Sequence, residues 1–286
     1  LQGRHEQATD HYQRALKLAP TIGHRGAELD ALAGLGQIHS LQGRYEQATD
    51  HLERALRLAD TTVHHPSELQ ALTSLGVVHR AQGRYEQATV YLLQALHLAR
   101  ATGYLTGEQN ALAGLGMVYS AQGQYEQATD YYQQSLRLAR ASGHPSGELQ
   151  ALVGLADLHL MQGRYPQATD DYQRVLDLAH QIGHLNWQYE AWQGLGRLQQ
   201  ITGNPEAALA HHHEALVFAT DLGQPGDQAR AHDGIAHAHL ALHRPEQARA
   251  HWKQALDILT RLGVDHAEEI TVAAVRHHLA NLGDGE

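Results

Sequence analysis

Apolar residues recur at three- and four-residue spacing along this chain, in two stripes per 40 residues. In LQGRYEQATDHLERALRLA, residues 41–59, Tyr45, Ala48, Leu52, Ala55, Leu56 and Ala59 form one stripe, the i, i+3, i+4, i+7 spacing of an amphipathic helix. The segment before it carries Ala31, Leu32, Leu35, Ile38 and His39 on a stripe of its own. No segment alternates with period two over strand length, so the pattern predicts an all-α chain built from helix pairs. The same stretch returns as AQGRYEQATVYLLQALHLA from Ala81 and AQGQYEQATDYYQQSLRLA from Ala121. Looser copies start at Met161, Ile201 and Ala241, and the chain itself opens on one at Leu1. A fixed period of this kind decides the fold before any local motif does.

The polar and small residues punctuate the same repeat. Gly3, Gly43, Gly83, Gly123, Gly163 and Gly203 fall between the first and second helix of each repeat, with His243 breaking the column. Gly23, Gly103, Gly143, Gly183, Gly223 and Gly263 follow the second helix. Pro166, Pro205 and Pro245 open second helices, and Pro66, Pro145 and Pro225 open first helices, where a missing N–H costs little. Glu28, Glu68, Glu108, Glu148 and Glu268 fall in the first turn, at the positive end of the helix dipole. A further small-residue column, Gly36, Gly76, Gly116, Ala156, Gly196 and Ala236, lies in mid-helix, where glycine costs roughly 1 kcal/mol against alanine. The expected compensation is close approach of the partner helix at Ala48, Ala88, Ala128, Ala168, Ala208 and Ala248.

Leu35-Gly36, then His39 (Tyr119 in another copy), Gly43, Tyr45, Ala48, Leu52 and Ala55 resemble the signature of the tetratricopeptide repeat, TPR. The resemblance covers nearly the whole chain and implies a right-handed TPR-type superhelical solenoid of antiparallel helix pairs, a single array over residues 1–286. Two departures stand out. Leucine replaces the usual tryptophan at Leu32, Leu72, Leu112 and Leu152, with Trp192 the survivor, and the usual closing proline is present only as Pro20. Without that proline the second helix gains a turn, which accounts for a period longer than the family's ~34 residues. Such long repeats resemble the C-terminal TPR arms of bacterial, actinobacterial-type STAND and antibiotic-regulatory proteins. Starting mid-repeat at Leu1, the chain reads as a fragment, and Asp265–Leu282 reads as a terminal capping helix.

Composition narrows the function. No cysteine is present, so neither disulfides nor cysteine-ligated zinc hold the chain together. This fits a reducing compartment, and a cytoplasmic location is expected. A formal charge of −10, with Lys17 and Lys253 the only lysines, argues against direct nucleic-acid binding. No apolar run approaches the ~20 residues a membrane helix needs. The 24 histidines invite a metal reading, but His211, His212 and His213 are consecutive and splay around a helix, and His239 with His243 lacks a third ligand. No metal site and no cofactor are expected. There is no cysteine nucleophile, no Gly-x-Ser-x-Gly and no His-Glu-x-x-His, so no catalytic residues are assigned.

What remains is the concave face, which in a TPR array is lined by first-helix side chains turned away from the second helix. By register it includes Asp30, Gln70 and Asn110, then Thr73, and then Gln37, Val77, Met117 and Asp157. The Lys/Asn/Arg clamp of chaperone-binding TPRs is absent from it. This face is small and neutral in the first repeats and charged from Glu190 onward. Glu190, Gln193 and Arg197, and likewise Arg230, Asp233 and His237, follow i, i+3, i+7 spacing. These six residues are the expected ligand-binding set. The resemblance implies a protein- or peptide-binding regulatory module, the sensor or interaction arm of a larger signalling or transcription-regulatory protein. A free-standing adaptor for an extended peptide and a small-molecule-sensing arm are the alternatives, and self-association through the N-terminal helix is a further expectation.

Overall fold

The computed structural model describes residues 2–59, 65–264, 266–267 and 270–282, with side chains from residue 7 onward except at 266 and 267. Among these residues the chain folds into α-helices separated by tight turns, with one two-residue β-pairing near its end. It divides into two compact units, residues 1–154 and 155–286.

The first unit runs α1 (Gln2–Leu18), a short 3-10 turn (Ala19–Ile22), α2 (Arg25–Leu41), α3 (Tyr45–Ala59), α4 (His65–Ala81), α5 (Tyr85–Thr102), α6 (Leu105–Ala121) and α7 (Tyr125–Ser142). It ends within α8 (Pro145–Met161). The second unit continues with α9 (Tyr165–Gln181), α10 (Leu185–Ile201), α11 (Pro205–Asp221), α12 (Pro225–Ala241) and α13 (Pro245–Leu262). In each unit consecutive helices pack as antiparallel pairs, and alternate helices also touch, α2 with α4, α4 with α6, and α10 with α12.

The turns follow from the glycine columns. At the end of α2 the backbone N–H of Gly43 bonds to Ser40 O at 3.0 Å and that of Arg44 to His39 O at 2.9 Å, with Gly43 at φ 70°. This is the Schellman geometry, in which a left-handed residue lets the last carbonyls find donors. The same pair of bonds closes α12, where Arg244 N–H reaches His239 O at 2.9 Å. There the left-handed residue is His243, at φ 56°.

The mid-helix glycines face more than the expected alanines: at Gly36 an added Cβ would lie 3.3 Å from Ala48 O but nearer still to the Leu52 side chain. A Cβ added to Gly116 would lie 2.9 Å from the ring of Tyr132, and one added to Gly76 would lie 2.5 Å from Leu92. The filling residue is thus the knob of the second helix, four positions beyond the expected alanine. Leu52, Leu92, Tyr132 and His212 each fill the hole at the glycine of their own pair. Tyr12, Leu92, Tyr132, Tyr172 and His212 also press on a second glycine column in the following helix, at Gly34, Gly114, Gly154, Gly194 and Gly234. The knobs Leu52, Leu92 and Tyr172 are at most 1% exposed, whereas Tyr12 in α1 is 36% exposed. A second ladder runs beside them: His79 stacks on Tyr91 and Tyr119 on Tyr131, both at 5.3 Å, and His239 stacks on His251 at 5.6 Å. The histidine column therefore serves as packing.

The expected helix over 265–282 is shorter. α14 spans Val272–Asn281, and before it His266–Ala267 pairs antiparallel with Ile270–Thr271. Thr271 is extended (φ −119°, ψ 147°) and its side chain caps the helix by accepting from Ala274 N–H at 3.0 Å. Ile270, buried, fixes the entry by joining Trp252, Leu259 and Val275 in the core. That threonine cap, following a buried β-branched residue, starts the helix seven positions later than periodicity alone suggests. Glu268 lies outside the described residues.

Candidate functional site

α10 presents Glu190, Gln193 and Arg197, and α12 presents Arg230, Asp233 and His237. The two helices are held face to face by hydrogen bonds from Tyr189 to Asp227 O (3.2 Å), from Gln200 to Gly234 O (2.9 Å) and from Gln224 to Asn186 (2.8 Å). The structure therefore brings the six residues onto neighbouring helices, and each is engaged within the chain. Arg230 is 8% exposed, its Nη1 lies 3.5 Å from Glu190 and 3.6 Å from Asp227, and its guanidinium stands over the Tyr189 ring at 5.6 Å. Arg197 pairs with Asp157 at 2.8 Å. Gln193, 5% exposed, accepts from His212 Nδ1 at 2.5 Å. Asp233 accepts from Trp252 Nε1 at 2.8 Å and faces His237 at 3.6 Å.

The partners on the second helices were not visible in the α10 and α12 columns alone. Tyr172, His212 and Trp252 occupy the knob column, and each has a polar tip that emerges among first-helix side chains. Tyr172 O–H donates to Asp157, His212 bonds Gln193, and Trp252 bonds Asp233. A buried polar tip must find a partner, and this explains why Gln193 and Asp233 stand where earlier repeats have Ala113 and Val153, and why Asp157 stands where they have Val77 and Met117. The signal lay in the two columns changing together. Burial, with the nearby Arg197 and the flanking histidines, pushes His212 down to about 3. Its ring is therefore neutral, with Nδ1–H donating to the Gln193 carbonyl oxygen. Burial and the adjacent Asp157 carboxylate raise the Tyr172 hydroxyl well above the ordinary phenol value.

The first unit carries a different face. A recess of about 350 Å³ is lined by Gln37 of α2, Ser67, Gln70 and Thr73 of α4, Tyr104 of the turn before α6 and Asn110 of α6. Gln70 Nε2 donates to Gln37 Oε1 at 2.9 Å, Ser67 donates to Asp30, and Thr73 donates back to Leu69 O at 2.8 Å. A carboxamide has two donor hydrogens and two acceptor lone pairs, so one shared bond leaves Gln37 and Gln70 most of their capacity. Sequence reasoning placed Gln37, Gln70, Thr73 and Asn110 on the concave face and passed over them as neutral.

The chain belongs to the tetratricopeptide repeat family, whose model matches residues 1–61, 67–141, 107–181 and 147–221. No curated protein matches it by sequence. Among solved structures it is similar to a tetratricopeptide repeat protein from Parabacteroides merdae, at 16% identity and TM-score 0.64 over 97% of this chain and 98% of that one. It is similar to a Rap protein complexed with competence and sporulation factor, at 17% identity and TM-score 0.69 over 92% of this chain and 72% of that one. NprR in complex with its cognate peptide NprX aligns at 14% identity and TM-score 0.60, over 97% of this chain and 81% of that one. At these identities the likeness is one of fold. Among the described residues, no helix is long and apolar enough to cross a membrane.

Proposed function

We propose that this chain is a protein- or peptide-binding module that reads an extended peptide segment in the recess between α2, α4 and α6. The observation that carries this reading is the carboxamide set Gln37, Gln70 and Asn110 around one uncharged recess. An extended backbone offers a donor and an acceptor at every residue, and each carboxamide answers both. The recess is therefore matched to main chain more than to any one side chain. The complex of NprR with its cognate peptide, on a related fold, supports the same class of ligand. The long repeats and their resemblance to regulator arms support a role as the interaction arm of a larger signalling protein. In this reading the chain binds and does not catalyse.

A second reading places the ligand on Glu190, Gln193, Arg197, Arg230, Asp233 and His237. It is favoured by partial exposure of Arg197 and His237, whose side chains are 32% and 39% exposed. Selection from a random-peptide display library on the purified chain, followed by titration of the recovered peptides, tests both. Under the first reading Gln70→Ala with Asn110→Ala weakens binding at least tenfold, about 1.4 kcal/mol, and Arg197→Ala changes it little. The reverse pattern moves the site to α10 and α12.

A further inference from the structure

The last helix pair holds a feature that the peptide reading does not use. Asp233 and His237 are separated by four residues on α12 and so share one face. α14 brings His278 to that face, and one ligand atom from each of the three residues lies within 4.8 Å of the other two. His237 Nε2 and Asp233 Oδ2 are 3.6 Å apart. The rings of His237 and His278 meet edge to face at 4.8 Å. Trp252 of α13 forms the floor: His278 stacks on it at 4.8 Å and 11°, and His237 meets it edge-on at 5.2 Å.

From these contacts we infer that Asp233, His237 and His278 form a binding site for a divalent transition-metal ion of the zinc class, tying α14 to α12. Two imidazoles and one carboxylate are the donors such ions prefer, whereas magnesium and calcium select oxygen. Bonds of about 2 Å set tetrahedral donor separations of about 3.3 Å. The His237–Asp233 spacing is already close to that value, and rotation of the His278 ring on its indole floor closes the third side. The indole N–H holds Asp233 Oδ1 at 2.8 Å and leaves Oδ2 toward His237. That is the outer-shell bond by which metal sites orient a carboxylate ligand. With His237 and Asp233 39% and 26% exposed, the fourth position opens to water.

The repeat supplies a second argument. At the positions equivalent to 233 and 237 the earlier first helices carry Thr73 and Val77, Ala113 and Met117, Val153 and Asp157, and Gln193 and Arg197. At this register the Asp-x-x-x-His pair occurs once, on the helix whose His237 meets His278 of α14. The expectation of no metal site considered His211 to His213 and His239 with His243, and had no means of placing His278.

The test uses the 286-residue chain stripped of metal with EDTA and titrated at neutral pH with cobalt(II) chloride, then with zinc in competition. The expected result is one tight equivalent with visible cobalt absorption bands of low coordination number. Asp233→Asn keeps an acceptor for the Trp252 N–H, and His278→Phe keeps the stack on Trp252. Each should weaken the tight site at least tenfold, whereas His277→Ala should leave it unchanged. Amide exchange in residues 272–281 should slow on adding zinc to the parent chain and not to His278→Phe. If His278→Phe shifts thermal unfolding in EDTA, Asp233→Asn decides the question alone. Unchanged affinity in Asp233→Asn, or loss of the tight site only on replacing His232 of α12 and His251 of α13, whose Nδ1 atoms lie 2.9 Å apart, overturns the inference.

Discussion

The ring of Tyr132 occupies the space that a side chain on Gly116 would fill, with Cδ1, Cε1 and Cζ each 2.9 Å from the Cβ position. The ring also presses on Gly154 in the next helix, so it is held from both sides and has no direction in which to yield. Gly116→Leu should therefore destabilise the chain by roughly 1–3 kcal/mol or more through overpacking. Urea denaturation measures this. Tyr132→Ala combined with Gly116→Leu should recover part of the loss, giving a coupling outside additivity. An unchanged midpoint in Gly116→Leu contradicts the pairing.

His212 gives the fold an acid sensitivity. Its folded pKa is near 3 and its unfolded value about 6.5, so the unfolded state binds the extra proton between those values. Its contribution is fully present above pH 6.5 and is lost as pH falls toward 3, at about 1.4 kcal/mol per unit. Between pH 7 and pH 5 the loss is roughly 2 kcal/mol from this residue. Tyrosine occupies the same column at Tyr132, against the equivalent Gly116 and Gly154, and at Tyr172, against Gly194. His212→Tyr should flatten the dependence of the urea midpoint on pH over that range. A parallel pH profile in the variant rules out His212 as its source.

Arg230 is a structural cation. Its side chain is 7% exposed and lies between Glu190 and Asp227. Arg230→Ala should cost roughly 2–3 kcal/mol, the cost of breaking a buried pair reduced by the partial exposure of its acids. Arg197→Ala, at a side chain 32% exposed, should cost less. Thermal unfolding of the two single variants separates them, and equal melting temperatures contradict this assignment.

His243 holds a left-handed backbone without the freedom of glycine, at φ 56° and with its side chain exposed. His243→Gly should stabilise the chain by about 1 kcal/mol, since the strained conformation is relieved and no packing is lost. A lower urea midpoint in the variant contradicts this reading of the turn.

Much of the architecture was legible because one period repeats local rules. The stripes of Leu32 and Leu52, the glycine turns at Gly43 and Gly103, and the first-turn prolines each act within a few residues, and all appear where their spacing put them. What could not be read were contacts set by packing across helices. Gly116 announced a close approach, but spacing along one helix cannot say which residue of another fills the gap. The six residues from Glu190 to His237 lie on α10 and α12, but their internal partners arrive from Asp157, His212 and Trp252. The end of the repeat was missed for another reason. Thr271 caps a helix only once Ile270 is buried, and that burial depends on α13.

The central claim is that the first unit reads an extended peptide. Amide hydrogen exchange with and without a display-selected peptide at saturation tests it most directly. The account predicts slowed exchange in α2, α4 and α6, with loss of that footprint in the Gln70→Ala, Asn110→Ala double variant. A footprint on α10 and α12 with α2, α4 and α6 unchanged, or a chain that retains no peptide from the library, contradicts it.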